Sequence, residues 1–210
     1  MTGPSANCPG CGARIEFLWS SAVQTTCPFC KSILVRHDVD LKKVGEVGDL
    51  PPDQSPIRIG ATGVFQRRAF TVVGRIIYEY ERGSWNEWHL MLDDATSAWL
   101  SDAMGEYAVS REAKAPELPT AERVRVGQNY AWSGRIYKVM ILAMARYRGV
   151  EGELPFETWN RYDVLFADLD ADDGHFATLD YSDDVPTLYL GEYMEFDDLR
   201  FANLKEIAGW

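Results

Sequence analysis

The residues with the clearest chemistry are four cysteines near the start of the chain. Cys8 and Cys11 form one C-x2-C pair, and Cys27 and Cys30 form a second pair after fifteen intervening residues. Two thiolates separated by two residues bind one metal ion from a tight turn, and a second such turn completes a tetrahedral site. The spacing therefore predicts one structural Zn²⁺ per chain, with sulfur in all four coordination positions and no bound water for hydrolysis.

The residues beside the cysteines agree with a metal site. Pro9 and Pro28 fix φ after the first cysteine of each pair, and Gly12 tolerates a tight backbone that directs amide groups toward sulfur. Two disulfides or a redox C-x-x-C pair fit less well, because cytosolic thiols stay reduced and a redox pair needs no second pair. Iron in place of zinc stays open, because four thiolates also bind a mononuclear iron.

A second set of candidate residues is acidic and aromatic. The net charge is −11, and residues 151–210 hold sixteen acidic and three basic side chains. We expect these acids, Asp170 and Asp180 among them, in inserted loops, where binding groups are often carried. Their alternative role is to keep loops solvated, and tryptophans are core residues by default. The candidate binding surface consists of Trp85, Trp88, Trp159, Asp170, Asp172 and Asp173, with Trp88 expected to point inward and Trp85 to face the other way.

Signatures of known enzyme chemistry are missing from the sequence. It has no nucleophile elbow, phosphate-binding loop, zincin motif or dinucleotide fingerprint, and its three histidines are isolated. The alternating aspartates that begin at Asp168 resemble a calcium loop, but Asp173 and Leu179 stand where an EF-hand needs glycine and glutamate. A hairpin turn through Asp173 and Gly174 is the better interpretation.

Two proline-containing stretches, residues 50–56 and 114–120, divide the chain into the elements that must position these residues. We expect a short helix near residues 40–44, before the first stretch. The predicted division is a zinc ribbon over residues 1–36, a linker over 37–56, a first β unit over 57–113 and a second, acidic β unit over 120–210.

Both units show the period-two alternation of strands, as in Trp88, Leu90 and Leu92. The apolar run at residues 139–145 would pass for a buried helix, but its counterpart at 71–77 is β-branched and broken by glycine, so we predict strands for both. Several blocks also recur in the same order, which indicates internal duplication. The matching blocks are Arg58-Ile59-Gly60 with Arg125-Val126-Gly127, Trp85-Asn86 with Trp159-Asn160, and Gly105-Glu106-Tyr107 with Gly191-Glu192-Tyr193.

The predicted fold class is therefore mainly all-β, with an N-terminal zinc ribbon followed by two tandem, duplicated β-meander or half-barrel units. Whether the two units form one barrel stays open at this point, as does self-association. The longest apolar run has seven residues, where crossing a bilayer takes roughly 18, and the first seven residues lack the features of a secretory signal. We expect a cytoplasmic protein that does not span a membrane.

The order of the parts resembles a known family. The most specific stretch is Trp85-Asn86-Glu87-Trp88-His89-Leu90 together with Trp99-Leu100, after a Cys-Pro-x-Cys ribbon and a proline-rich linker. Over nearly the full chain it resembles a zinc-ribbon-containing member of the bacterial domain of unknown function 4178 family. The resemblance implies cytosolic proteins encoded near phage-shock-type membrane-stress proteins and polyamine aminopropyltransferases, and thus an envelope-stress or polyamine-linked system. It implies no catalytic residue.

Two functions are compatible with these features. In the first, the protein is an adaptor whose acidic second unit presents loops to a basic protein partner. In the second, Trp85 and Trp159 line the pocket of a small-ligand or enzymatic β-barrel, and nearby acids hold a cationic ligand such as a polyamine. Nucleic acid is not an expected partner, because the ribbon carries only Arg14 against Glu16 and the whole chain is acidic.

Overall fold

The computed structural model describes residues 5–37, 40–48, 50, 55–157 and 162–206. Within these residues the regular elements are fifteen strands and one short 3₁₀ helix, Phe196–Leu199. The prediction of a mainly all-β chain is therefore confirmed. No helix in the described ranges is long and apolar enough to cross a membrane.

The first five strands build the ribbon and its extension. β1 and β2 pair with each other in a small separate sheet, whereas β3, β4 and β5 form an antiparallel ladder. The five strands are β1 (Ser5–Asn7), β2 (Arg14–Glu16), β3 (Gln24–Thr26), β4 (Ser32–His37) and β5 (Asp40–Glu46).

The helix expected near residues 40–44 was wrong, because β5 occupies these residues inside the range predicted as a linker. Pairing with β4 provides hydrogen-bond partners for the backbone of this segment, and Leu41 packs against the core of the ribbon. An isolated helix of one or two turns is marginal in water, so strand pairing prevails here.

The remaining strands form two successive antiparallel meanders, which we call the first and second halves. The 139–145 run lies in a strand, as predicted, and the hairpin through Asp173 and Gly174 joins β13 to β14. The first half contains β6 (Thr62–Phe65), β7 (Arg68–Tyr80), β8 (Gly83–Leu92), β9 (Ser97–Ala103) and β10 (Glu106–Ala113). The second half contains β11 (Asn129–Trp132), β12 (Arg135–Leu154), β13 (Val164–Asp170), β14 (His175–Asp180) and β15 (Thr187–Met194).

The two halves close into one barrel. β10 pairs with β15, and β12 pairs with β7, both antiparallel. Around the barrel the order is β7, β8, β9, β10, β15, β14, β13, β12 and back to β7, so each half supplies four strands. The question that the sequence left open is thus resolved in favour of a single closed sheet.

Two glycines permit the contact between β7 and β12. Gly74 and Gly152 are register partners, and a Cβ at Gly74 would lie 2.1 Å from the carbonyl oxygen of Glu153. Gly152 has φ +67°, and a Cβ there would lie 2.3 Å from the carbonyl oxygen of Val73. Only glycine fits both positions without displacing the partner strand.

Each half buries a hydrophobic core on one face of its strands. In the first half, Trp88, Leu90 and Leu92 pack under Leu199 of the 3₁₀ helix. In the second half, the core contains Leu169, Leu179 and, from the segment before β12, Val124 and Trp132. Because side chains alternate along a strand, the residues between these core positions point to the other face, which is the inside of the barrel.

The ribbon is fixed to the barrel by a buried junction. The Glu153 carboxylate accepts hydrogen bonds from the backbone amides of Leu18 and Trp19, at 2.6 and 2.7 Å. His89 lies between the rings of Trp19 and Trp99 and donates from Nδ1 to the carbonyl oxygen of Glu153. Burial lowers the pKa of His89 to about 4, so the junction holds a neutral imidazole at neutral pH.

Candidate metal centre and acidic cavity

The four cysteines meet at one point between the turns of the ribbon. The Sγ atoms of Cys8 and Cys30 lie 3.7 Å apart, those of Cys11 and Cys27 lie 3.8 Å apart, and all four lie within 4.8 Å of one another. A tetrahedral ion with metal–sulfur bonds of about 2.3 Å needs sulfurs about 3.8 Å apart, whereas a disulfide needs about 2.05 Å. The sulfurs therefore have the spacing of ligands, and the donor set fits a structural metal ion.

The local backbone supports this cluster. The amide of Gly10 points at Cys8 Sγ at 3.4 Å, and the amide of Gly12 closes the first turn onto the Cys8 carbonyl. In the second turn, the hydroxyl and the amide of Ser32 lower the pKa of the Cys30 thiol to about 6. A lowered thiol pKa favours the thiolate, which is the form that binds metal.

The inside of the barrel is a cavity of about 520 Å³. All eight barrel strands contribute lining residues, which are the side chains that alternate with those of the two outer cores. On β8, for example, Trp85 and Glu87 line the cavity while Trp88 packs in the first-half core. The cavity is thus a product of barrel closure rather than of either half.

Acidic side chains from both halves face this cavity. The acids that line it are Glu87, Glu106, Asp168, Asp170 and Asp180, and we call all of these except the exposed Glu106 the cavity carboxylates.

Each cavity carboxylate has one oxygen bound to a neutral donor. Glu87 accepts from the Ser101 hydroxyl at 2.7 Å and from Trp85 Nε1 at 2.9 Å. Asp168 accepts from the Thr178 hydroxyl at 2.8 Å. By the same pattern, Asp170 accepts from the hydroxyl of Tyr193 and Asp180 from the amide of Ser182, both at 2.8 Å. Among the residues that the structure describes, these bonds use a single oxygen of each carboxylate.

The cavity lacks a counter-charge. No lysine, arginine or histidine of the described residues lines it, and none of the ion pairs found in those ranges involves a cavity carboxylate. The pKa of Glu87 is raised to about 7, mainly by burial, while hydrogen bonds from Ser101 and Trp85 oppose the rise and the negative charge of Asp168 adds to it. Burial also raises the pKa of Asp168 and of Asp180. Burial in the cavity therefore disfavours the charged forms of Glu87, Asp168 and Asp180.

Aromatic rings form much of the wall beside these acids. Tyr78 and Trp85 stack with centroids 4.9 Å apart, and Phe166 meets Tyr78 edge-on at 5.2 Å. Tyr147 packs against Tyr78 at 5.0 Å, and Tyr189 lines the same space. Aromatic faces attract cations through the ring quadrupole, so these rings and the carboxylates favour the same charge on a ligand.

The structure separates the residues of the candidate binding surface. Trp85 and Asp170 come together at the cavity, whereas Trp88 is 1% exposed and donates from Nε1 to Asp102 in the interior of the first half. Asp172 and Asp173 lie in the turn between β13 and β14. Asp173 pairs there with Arg135 at 2.8 Å and with His175 at 3.1 Å, and Arg135 lowers its pKa. Trp159 lies outside the described residues.

The sequence reasoning missed Glu87 and Asp168 as members of one site, and it placed Asp170 and Asp180 in loops. That placement needs correction, because both residues end strands and face the cavity. A signal for this was present: Asp168 and Asp170 continue the period of Phe166 along β13, while the intervening residues are apolar. This alternation places both acids on the same face of β13 as Phe166, opposite Ala167 and Leu169.

The fold and the two sites define an all-β protein in which a four-cysteine ribbon is joined to a closed barrel with an acidic, aromatic cavity. Residues 58–196 match the family described as "Domain of unknown function (DUF4178)", and the chain belongs to this family. The match begins after the ribbon and spans both halves of the barrel. Comparison with curated proteins and with solved structures finds no match.

Proposed function

We propose that this protein binds a small organic cation in the cavity of its barrel. The observation that carries the proposal is that the cavity carboxylates lie among aromatic rings, and no cationic side chain of the described residues lines the same space.

The energetics favour a cationic ligand. An enclosed carboxylate without a counter-charge is costly, and the raised pKa of Glu87 reports that cost directly. An ammonium group that enters the cavity supplies the missing charge and donates hydrogen bonds to the carboxylate oxygens that the neutral donors leave open. The rings of Tyr78 and Trp85 add attraction for the same charge.

The arrangement of the acids favours an organic cation over a metal ion. The cavity carboxylates come from β8, β13 and β14, and in the described part of the chain no three of them converge as the cysteines do. A metal ion needs several ligand atoms around one point. A volume of about 520 Å³ is within the usual range for small-molecule sites, so an amine, including one with several amino groups as in polyamines, fits better.

The adaptor function receives less support from the geometry. It relies on the acidic loop near Asp170, Asp172 and Asp173, but Asp170 faces the cavity and Asp173 already pairs with Arg135. Asp172 is then the only member of this trio that is exposed and outside those contacts among the residues described. We therefore propose the cavity, rather than this loop, as the binding site.

In this proposal the ribbon holds one Zn²⁺ in a structural role, and the two halves arose by duplication. The sulfur spacing of 3.7 and 3.8 Å supports the metal site. The matching order of strands in the two halves, each with four barrel strands, supports the duplication. Zinc would stabilise the ribbon, and through the Glu153 junction it would help to fix the adjoining end of β12.

Calorimetric titration of the full, metal-loaded chain tests the proposed function. The probes are 1,4-diaminobutane, tetramethylammonium and the neutral isostere 1,4-butanediol. We expect at least one of the two cations to bind and the diol not to bind. Glu87→Gln removes one charge and keeps the shape of the side chain, so it should weaken the binding of a cation about tenfold. Asp172→Asn is the matched control, because it removes the same charge from an exposed turn.

Three results would contradict the proposal. One is equal binding of the diol and the cations, since charge would then play no part. Another is an equal loss of affinity in Glu87→Gln and Asp172→Asn, which would indicate general attraction to an acidic surface. The third is the absence of binding for both cations at millimolar concentration.

A further inference from the structure

Four large apolar side chains that line the cavity also remain exposed to solvent. Met104 is 84% exposed, Met140 46%, Ile141 56% and Tyr193 53%, and all four also line the cavity. We call these four residues the rim. They come from three separate places in the chain, namely the turn between β9 and β10, the strand β12 and the strand β15.

The rim differs from scattered surface residues in two ways. All four line one cavity, and all four are exposed, so the apolar part of the cavity wall reaches the surface. Contiguous exposed apolar surface of this kind marks contact with a ligand or partner. Two of the four side chains are methionines, which adapt their shape to varied apolar partners.

The charged and the apolar groups of the cavity differ in burial. The cavity carboxylates are half-buried, whereas the four rim side chains are exposed, and so is the acid Glu106. The hydroxyl of Tyr193 connects the two groups, because it donates to Asp170 at 2.8 Å while its ring is part of the rim. A ligand that contacts both groups has a cationic end among the carboxylates and an apolar part at the rim.

We propose that the ligand is an amphiphilic amine, with its ammonium group among the cavity carboxylates and its alkyl chain lying across the rim. This inference rests on the proposed function, and it adds the chemical class of the ligand.

The chemistry of the rim favours an alkyl chain over a peptide segment. A bound peptide brings an amide and a carbonyl with every residue, and each needs a hydrogen-bond partner when it is covered. Most strand edges of the barrel are already paired, and β12 pairs with β13 through residues 138–145 and with β7 through residues 146–152. An alkyl chain needs only apolar contact, and the exposed side chains of Met104, Met140 and Ile141 provide it.

A series of amines tests this inference on the full, metal-loaded chain by calorimetry. The probes are butylamine, hexylamine and octylamine below their aggregation limits, with 1,4-diaminobutane and octanol for comparison. Each methylene that leaves water for the rim should strengthen binding about fourfold until the rim is covered. Octylamine should therefore bind far more tightly than butylamine or 1,4-diaminobutane, and octanol should bind weakly.

The double variant Met104→Ser, Ile141→Ser isolates the role of the rim. It should reduce the increase in affinity with alkyl chain length, and it should leave the affinity for butylamine within about twofold of that of the parent chain. Val126→Ser is the matched control, because Val126 is 61% exposed and does not line the cavity. All three substituted residues are exposed, so melting temperatures should change little.

The outcomes separate the two proposals. An amine series whose affinity does not rise with chain length would overturn the amphiphile and leave the cation site standing. Tighter binding of 1,4-diaminobutane or of a Leu-Lys-Leu peptide than of octylamine would have the same consequence. Equal binding of octanol and octylamine would show that the alkyl chain acts without the charge, and this too would overturn it. If neither an amine nor tetramethylammonium binds, the proposed function itself fails.

Discussion

The ribbon and the barrel each gather four anionic groups, but they arrange them differently. The ribbon brings four sulfurs within 4.8 Å of one another from two tight turns. The barrel spreads its cavity carboxylates over three strands around about 520 Å³. Turns can aim neighbouring side chains at one point, whereas barrel strands hold side chains on separate walls. The first arrangement suits a single ion and the second an extended organic cation.

Loss of one thiolate should have the largest effect, because a convergent site fails as a unit. Cys27→Ser leaves three thiolates, so we expect bound metal to fall from one ion per chain to none. Structural zinc supplies folding free energy, and stability should fall by about 5 kcal/mol or more. Elemental analysis and denaturant unfolding measure both effects. Ser32 contacts Cys30 but supplies no metal ligand, so Ser32→Ala should keep the metal. Unchanged stability of metal-free Cys27→Ser would show that the barrel alone holds the ribbon in place.

Loss of one carboxylate should have a smaller, graded effect, because the cavity spreads its charge. Asp168→Asn should weaken the binding of the tightest amine about tenfold, as Glu87→Gln does. The double variant should weaken it further, but not by the product of the two effects, because the two carboxylates interact. Calorimetric titration of the three variants provides the measurement. If either single substitution abolished amine binding, as loss of a thiolate is expected to abolish metal binding, the cavity would be a convergent site. The ribbon and the barrel would then not differ in this respect.

The protonation of Glu87 gives the next effect. Its pKa rises from 4.5 to about 7 in the folded state, so the folded chain keeps a proton that the unfolded chain releases between these values. Stability should therefore fall as pH rises from about 4.5 to about 7, and Glu87→Gln should remove this slope. His89 acts in the opposite direction, because its lowered pKa makes stability fall as pH decreases from 6.5 to about 4.

Urea unfolding of the parent chain and Glu87→Gln at several pH values isolates the contribution of Glu87, since both proteins contain His89. Amine affinity should also increase as pH passes about 7, because the ionised carboxylate binds the ammonium group. The same pH slope of stability in both proteins would rule out an enclosed, uncompensated Glu87.

The exposed pair of Arg135 and Asp173 should matter least. Surface ion pairs stabilise proteins by less than about 1 kcal/mol, so Asp173→Asn should change stability by no more than that. Amine affinity should stay within about twofold, because Asp173 does not line the cavity. A large loss of amine binding in this variant would indicate that the acidic loop takes part in binding the amine.

The sequence predicted those features that depend on neighbouring residues. The cysteine cluster depends on C-x2-C spacing, and the strands depend on alternation, as in Trp88, Leu90 and Leu92. Even the opposite orientations expected for Trp85 and Trp88 agree with where the structure places them. Short-range patterns determine such features, so one sequence suffices to propose them.

The features that escaped prediction depend on pairing between distant residues. Closure of the barrel pairs Gly74 with Gly152, and the sequence around neither glycine indicates which residue it pairs with. Without closure there is no enclosed space, so the sequence alone does not connect Glu87 of the first half with Asp168 of the second. β5 was missed for a similar reason, because hydrogen bonding to β4 stabilises it as a strand and its own residues do not indicate that pairing.

The long strand β12 has a consequence for the order in which the molecule is built. Its last residues dock the ribbon, and Glu153 stands 134 positions after the Trp19 amide that it binds. During synthesis the ribbon therefore leaves the ribosome long before its docking surface exists. Chains fold from the N-terminus as they emerge, at about 5–20 residues per second. Over those seconds the ribbon has no contact with β12, and the metal ion proposed for its four thiolates would stabilise it before the barrel forms.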